Sequence, residues 1–136
     1  MNKIYWFKYS LHISFLLLVF SVWSSCQTKN YRSFEISAED FVKMNDTDQF
    51  VIIDVRTESE YEQSHLKNAI LMDIYSPGMT ERLNNLNKTK KYYVYCHSGI
   101  RSRSVIKLMR QQGFTDCYNI SGGTIKLARA GAVFVN

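Results

Sequence analysis

The stretch Phe50-Val51-Ile52-Ile53-Asp54-Val55 restricts the fold of this chain more than any other. It is a continuous β-branched run with no polar alternation, so a strand here must be covered on both faces, as in a parallel sheet. Three further strands are predicted at Ala69-Ile70-Leu71-Met72, at Tyr92-Tyr93-Val94-Tyr95 and at Cys117-Tyr118-Asn119-Ile120. Helical patterns fall between them. That alternation predicts an α/β domain with a central, mainly parallel sheet of four to five strands and helices on both faces.

The helices are bounded by local chemistry. Ser37, followed by Glu39 and Asp40, caps a short helix that should end near Asn45, after which Asn45-Asp46-Thr47-Asp48 turns the chain. Thr57 with Glu60 three residues on forms a capping box, so a brief helix through Tyr61 and Glu62 should follow the first strand at once. Pro77 suits the first turn of a helix whose apolar face is Met79, Leu83 and Leu86, ended by Asn84, Asn85 and Asn87. Val105, Ile106, Leu108 and Met109 mark a helix stopped by Gly113, and Ser121-Gly122-Gly123 turns into a last amphipathic segment with Ile125, Leu127 and Ala128.

The N-terminus has a different character. Lys3 and Lys8 precede Leu11 to Trp23, an interrupted apolar segment shorter than the roughly 20 residues that span a bilayer, which predicts a signal peptide over residues 1–25. Ser24 and Ser25 before Cys26 resemble a bacterial lipoprotein signal, in which Cys26 would be lipidated, although Trp23 departs from the usual aliphatic residue. The alternative is an uncleaved anchor from about Ile4 to Trp23. Both put the domain beside a membrane and outside the cytoplasm, in the periplasm or cell envelope. Residues 26–33 read as a polar tether and residues 34–136 as the domain.

Without residues 1–25 the 17 basic residues become 15 against 12 acids, a net charge of +3. With no long basic run beyond Lys88, Lys90 and Lys91, no nucleic-acid partner is expected. The cysteines, Cys26, Cys96 and Cys117, match no zinc spacing and cannot all pair, so neither a metal site nor a disulfide scaffold is expected.

Cys96-His97-Ser98-Gly99-Ile100-Arg101 runs from the end of a strand to the start of a helix near Ser102, the position where open α/β sheets bind ligands. With Gly99 free to take a positive φ, such a turn can curl its N–H groups inward as an anion-binding nest. The helix terminus and Arg101 add positive potential, favouring a Cys96 thiolate. Lowering a cysteine pKa from about 8.5 by about two units requires about 2.7 kcal/mol of differential stabilisation, within reach of a nest and a helix end. A reactive thiolate must also keep open room above it.

These residues resemble the active-site loop of the rhodaneses, and other stretches agree in order. Asp54-Val55-Arg56 with Glu60, Tyr61 and His65-Leu66 is similar to that family's early signature, and Ala69-Ile70 to the strand that follows. Gly113-Phe114 through Ile120-Ser121-Gly122-Gly123 resembles its ending, so the likeness covers about residues 34 to 135. Thr124-Ile125-Lys126 departs from the aromatic that many relatives carry after the double glycine.

The resemblance implies a single-domain, monomeric sulfurtransferase without cofactor. Cys96 would attack the outer sulfur of a donor such as thiosulfate, become a persulfide, and pass the sulfur to a thiol or other thiophilic acceptor. His97, Ser98, Gly99 and Ile100 would act as backbone donors with side chains at the rim, and Arg101 would bind the donor anion or brace the loop. His97 is disfavoured as a general base, because an ionised thiolate needs none. Asp54 and Arg56 would support the site, Arg56 by pairing with Glu60 and Asp54 by hydrogen bonds to the loop. His65, ending a helix, and Cys117 read as structural, and Tyr92, Tyr93 and Tyr95 as sheet packing.

Two rivals use the same residues differently. Related phosphatases and arsenate reductases have one more residue between cysteine and arginine, whereas Arg101 is five positions after Cys96. A sulfur-carrier or redox-sensing module would accept the persulfide and hand it to one partner without turnover on small molecules.

Overall fold

A computed structural model of the chain describes residues 34–44 and 49–136. The signal or anchor at 1–25, the Cys26 lipidation site, the tether at 26–33 and the turn at Asn45-Asp46-Thr47-Asp48 lie outside the described residues.

The elements, in chain order, are β1 (Glu35–Ser37), α1 (Ala38–Val42), β2 (Phe50–Asp54), α2 (Glu58–Gln63), β3 (His65–Leu66), β4 (Ile70–Leu71), α3 (Met79–Asn84), β5 (Lys91–Tyr95), α4 (Ile100–Gln111), β6 (Cys117–Ser121), α5 (Gly123–Arg129) and β7 (Phe134–Val135). Five strands form one sheet in the order β1-β6-β5-β2-β4, with every pairing parallel. β5 is its middle strand, and Asp54 at the end of β2 lies opposite Tyr95 at the end of β5. The predicted α/β class is therefore the observed one.

Strand alternation divides the core in two. Tyr92, Val94 and Cys96 point to the face covered by Met79 and Leu83 of α3 and by Val105, Ile106 and Met109 of α4. Tyr93 and Tyr95 point to the other, against Phe41 of α1 and Leu127 of α5. Side chains of this size stabilise a fold by roughly 1.5–3 kcal/mol each when fully buried, which is why β2 and β5 need helices on both sides.

Caps set the helix starts. Ser37 accepts a hydrogen bond from Asp40 N–H, and the capping box is complete: Thr57 accepts from Glu60 N–H while the Glu60 carboxylate accepts from Thr57 N–H. Several expectations shift. α1 ends at Val42 rather than near Asn45, and α3 begins after Gly78, whose φ of 74° sets the turn, so Pro77 precedes the helix. His65 does not end a helix; it lies in β3, which pairs antiparallel with β7, and its ring stacks on Tyr61 at 3.7 Å. Strands β1, β3 and β7 were not predicted, since two or three residues carry no period and become strands only through partners such as Ile36 beside Ile120.

Candidate functional site

The polypeptide leaves the sheet at the C-terminal end of β5 and enters α4 within four residues. The helix starts at Ile100, two residues earlier than expected, because Gly99 adopts a φ of 87° and acts as its N-cap. This early start draws the Gly99 N–H to 3.1 Å from Cys96 Sγ. Any side chain at position 99 would be strained at that φ, and its Cβ would lie 2.9 Å from Gly122 N.

The amides of the loop face inward because its carbonyls are taken by α5. Thr124 N–H donates to Cys96 O at 2.9 Å and Ile125 N–H to His97 O at 3.3 Å, using donors that the first turn of a helix otherwise leaves free. His97 Nδ1 is 3.1 Å from Thr124 Oγ1. The approach is close enough that a Cβ on Gly123 would meet Cys96 O at 2.1 Å. Thr124 and Ile125, at the departure from the family pattern, thus hold the cysteine loop with their backbone.

Two effects oppose each other at the sulfur. Burial pushes the Cys96 thiol up, but the Ser102 hydroxyl and the N–H groups of Ser102, Ser98 and Gly99 outweigh it, leaving the thiol below its ordinary value. At Cys117 burial outweighs the favourable charge and hydrogen bond of Arg110 and pushes the thiol up. The nest expected from the sequence is therefore present in its geometry. The room expected above the sulfur is not: Cys96 has no exposed surface. His97, Ser98 and Ile100 are exposed on the outside of the loop.

Behind the sulfur lies a polar pair that the sequence did not reveal. Ser102 Oγ is 3.5 Å from Cys96 Sγ and 2.5 Å from Asn119 Oδ1, and both side chains are buried. The hydroxyl has one proton for two acceptors, while Asn119 Nδ2 is buried without a partner. The Asn119 amide also helps to hold the neighbouring Glu35 carboxyl low, so its N–H side is the one turned toward that acid, and the single hydroxyl proton of Ser102 is shared between the amide oxygen and the sulfur. Ser102, six residues after Cys96, reads in the sequence as an ordinary first-turn helix residue.

Arg101 makes no hydrogen bond to the sulfur, although it is near enough for its charge to couple to Cys96. Its two terminal nitrogens donate to the two oxygens of Glu60 at 2.7 Å each, a bidentate pair joining α4 to α2. Arg101 beside it holds the Glu60 carboxyl at about 2, well below the usual range, and Glu60 raises Arg101 in return. Glu60 was expected to pair with Arg56. Instead Arg56, almost fully buried, forks onto Asp54 at 2.7 Å and donates to Ser64 O at 2.6 Å. Asp54 accepts from Arg56 N and Nε, so this pair locks the exit of β2 and makes no hydrogen bond to the cysteine loop. Glu60's second role was hidden because the capping box already accounted for it.

The fold and this cysteine loop define the class, and the comparison of sequences agrees: residues 37–129 match the rhodanese-like domain family, to which the chain belongs. Among named relatives it is 36% identical over 90 residues to the putative sulfur carrier protein YrkF of Bacillus subtilis, covering 65% of this chain and 48% of that one. It is 35% identical over 88 residues to the thiosulfate sulfurtransferase GlpE of Coxiella burnetii, covering 65% and 78%. It is also 35% identical over 91 residues to the tRNA uridine(34) hydroxylase of Cytophaga hutchinsonii, covering 64% of this chain and 29% of that protein. The chain thus spans less than half the length of two of these three relatives. The crystal structure of a rhodanese-like domain protein from Staphylococcus aureus superposes with a TM-score of 0.63 at 27% identity, over 75% of this chain and 98% of that one.

Proposed function

We propose that the chain is a sulfurtransferase that moves a sulfane sulfur from a donor such as thiosulfate to a thiophilic acceptor through a persulfide on Cys96. The observation that carries this reading is the set of N–H and O–H donors converging on a buried sulfur, strong enough to outweigh its burial. The Cys96 thiolate attacks the outer sulfur of thiosulfate; the S–S bond breaks, sulfite leaves with its electron pair, and Cys96–S–S⁻ remains. An acceptor thiolate then attacks that outer sulfur and returns Cys96 as thiolate. The donors that favour the thiolate also favour the terminal sulfur anion, and no proton transfer to His97 is required.

Because Cys96 has no exposed surface, either half-reaction requires the residues around it to move. The same closure supports a second reading as a sulfur carrier that opens only against one docked partner, in keeping with the likeness to YrkF. Mass spectrometry after incubation with thiosulfate tests the first: one sulfur atom should be gained on Cys96 and none in Cys96→Ser. An unmodified Cys96 with every sulfane donor would refute both readings. Turnover with cyanide or small thiols as acceptor separates enzyme from carrier.

We also propose that the chain is an exported, membrane-anchored monomer lipidated at Cys26. The support is the segment Leu11–Trp23 followed by Ser24-Ser25-Cys26. Intact-mass measurement of the protein from membranes should show acylation at Cys26; an unacylated, soluble product would refute it.

A further inference from the structure

A line of polar side chains runs from the sulfur to the edge of the sheet. Ser102 Oγ is 3.5 Å from Cys96 Sγ and 2.5 Å from Asn119 Oδ1, and all three side chains are buried. Asn119, in β6, lies directly opposite Glu35 of the edge strand β1, so the two side chains leave the sheet on the same face. That is the face of α4, because Glu35 accepts from Nε of Arg103, the residue after Ser102, at 2.6 Å. The Ser121 hydroxyl donates to the other Glu35 oxygen.

This arrangement decides which end of the Asn119 amide meets which neighbour. A carboxylate only accepts, so the N–H end is turned toward Glu35 and the amide oxygen is left facing Ser102. Burial raises the Glu35 carboxyl, but Arg103, Ser121 and Asn119 outweigh it and hold it below its ordinary value. Asn119 Nδ2 falls short of a full hydrogen bond among the described residues, so the acid orients the amide without saturating it. Ser102 has one hydroxyl proton and two acceptors, of which the amide oxygen is the nearer.

We propose that Asn119 and Glu35 are positioning residues that set the strength of the Ser102 hydrogen bond to Cys96, a role that rests on the sulfur-transfer reading above. Asn119 Oδ1 competes with the sulfur for the hydroxyl proton, and Glu35 keeps that oxygen aimed at Ser102. The outcome differs between the two states of the cysteine. As a thiolate, Cys96 Sγ carries the charge and draws the proton. As a persulfide, the charge sits on the outer sulfur, the inner sulfur is a weak acceptor, and the proton turns to Asn119. No covalent bond changes in this step; the hydroxyl rotates and keeps its proton. Without Asn119 the loaded state would hold a buried, unpaired donor. The amide thus loosens the hold on the thiolate and removes a penalty from the persulfide.

The test is a double-mutant cycle in the full chain, read as the Cys96 midpoint from thiolate absorbance against the matching Cys96→Ser protein. Glu35→Gln keeps the side chain's size but releases the Asn119 amide, whose N–H can then turn to Ser102 and free the hydroxyl proton for the sulfur. Losing a negative charge also lowers the midpoint through space, but that part does not need the hydroxyl. The fall should therefore be at least about half a unit larger with Ser102 present than in the Ser102→Ala background, about threefold in thiolate fraction, while the coupling of Arg101 to Cys96 cancels between the two. Equal falls in both backgrounds, no fall, or a rise would overturn the proposal and leave sulfur transfer standing. Asn119→Val removes the competing oxygen and should lower the midpoint by about one unit. A rise there also overturns it, and should that variant not fold, the Glu35 cycle decides. An unmodified Cys96 after exposure to thiosulfate and other sulfane donors is the separate result that removes the sulfur-transfer reading itself.

Discussion

Replacing Ser102 with alanine removes one of the donors around Cys96 and nothing larger. A hydrogen bond to a charged group contributes about 1.5–3 kcal/mol. At 3.5 Å the Ser102 contact is long, so the lower end applies, and about 1.4 kcal/mol corresponds to one pKa unit. The Cys96 midpoint should therefore rise by about one unit in Ser102→Ala. Below both midpoints the thiolate fraction falls about tenfold, but a more basic sulfur is a better nucleophile, so persulfidation should slow only about threefold. The midpoint is read from thiolate ultraviolet absorbance as a difference from Cys96→Ser, which cancels Cys117 and the tyrosines.

Stability supplies an independent check on the same substitution. The folded-state Cys96 pKa is depressed, so the thiolate adds stability that is fully present above the unfolded value of about 8.5 and lost as pH falls through the folded one. Ser102→Ala should thus be more destabilising in alkali than in acid by about 1.4 kcal/mol, on top of a constant cost for the polar group left at Asn119. An unchanged midpoint, or equal destabilisation at both ends of the pH range, would refute the role given to the hydroxyl.

Other outcomes follow from the same geometry. Arg56→Met strands Asp54 in the core and should cost about 3–5 kcal/mol in urea unfolding, with much of the loss recovered in Asp54→Leu/Arg56→Met, because an unpaired buried charge is costlier than none. Gly123→Ala drives a Cβ against Cys96 O, so the loop must shift, and the Cys96 midpoint should rise even where circular dichroism shows a folded protein. The Glu60 carboxyl, held at about 2, contributes stability above its ordinary 4.5 that disappears as pH falls toward 2. As its side chain is 31% exposed, screening reduces this to about 1–2 kcal/mol, and thermal melts between those pH values should be flatter for Glu60→Gln than for wild type.

The sequence alone determined the elements whose identity is local. The β-branched run Phe50–Val55 favours a doubly covered strand, Thr57 and Glu60 stand at the spacing of a capping box, and Cys96 to Arg101 carries its loop signature in adjacent residues. Tertiary structure decided everything that depends on partners distant along the chain. Arg101 meets Glu60 from 41 positions away, and Ser102 meets Asn119 from 17. Two-residue strands exist only through the neighbour they pair with, and the hold on the carbonyls of Cys96 and His97 depends on where α5 offers its free N–H groups. Local patterning fixes what each segment prefers; charge partners and burial are properties of the assembled sheet.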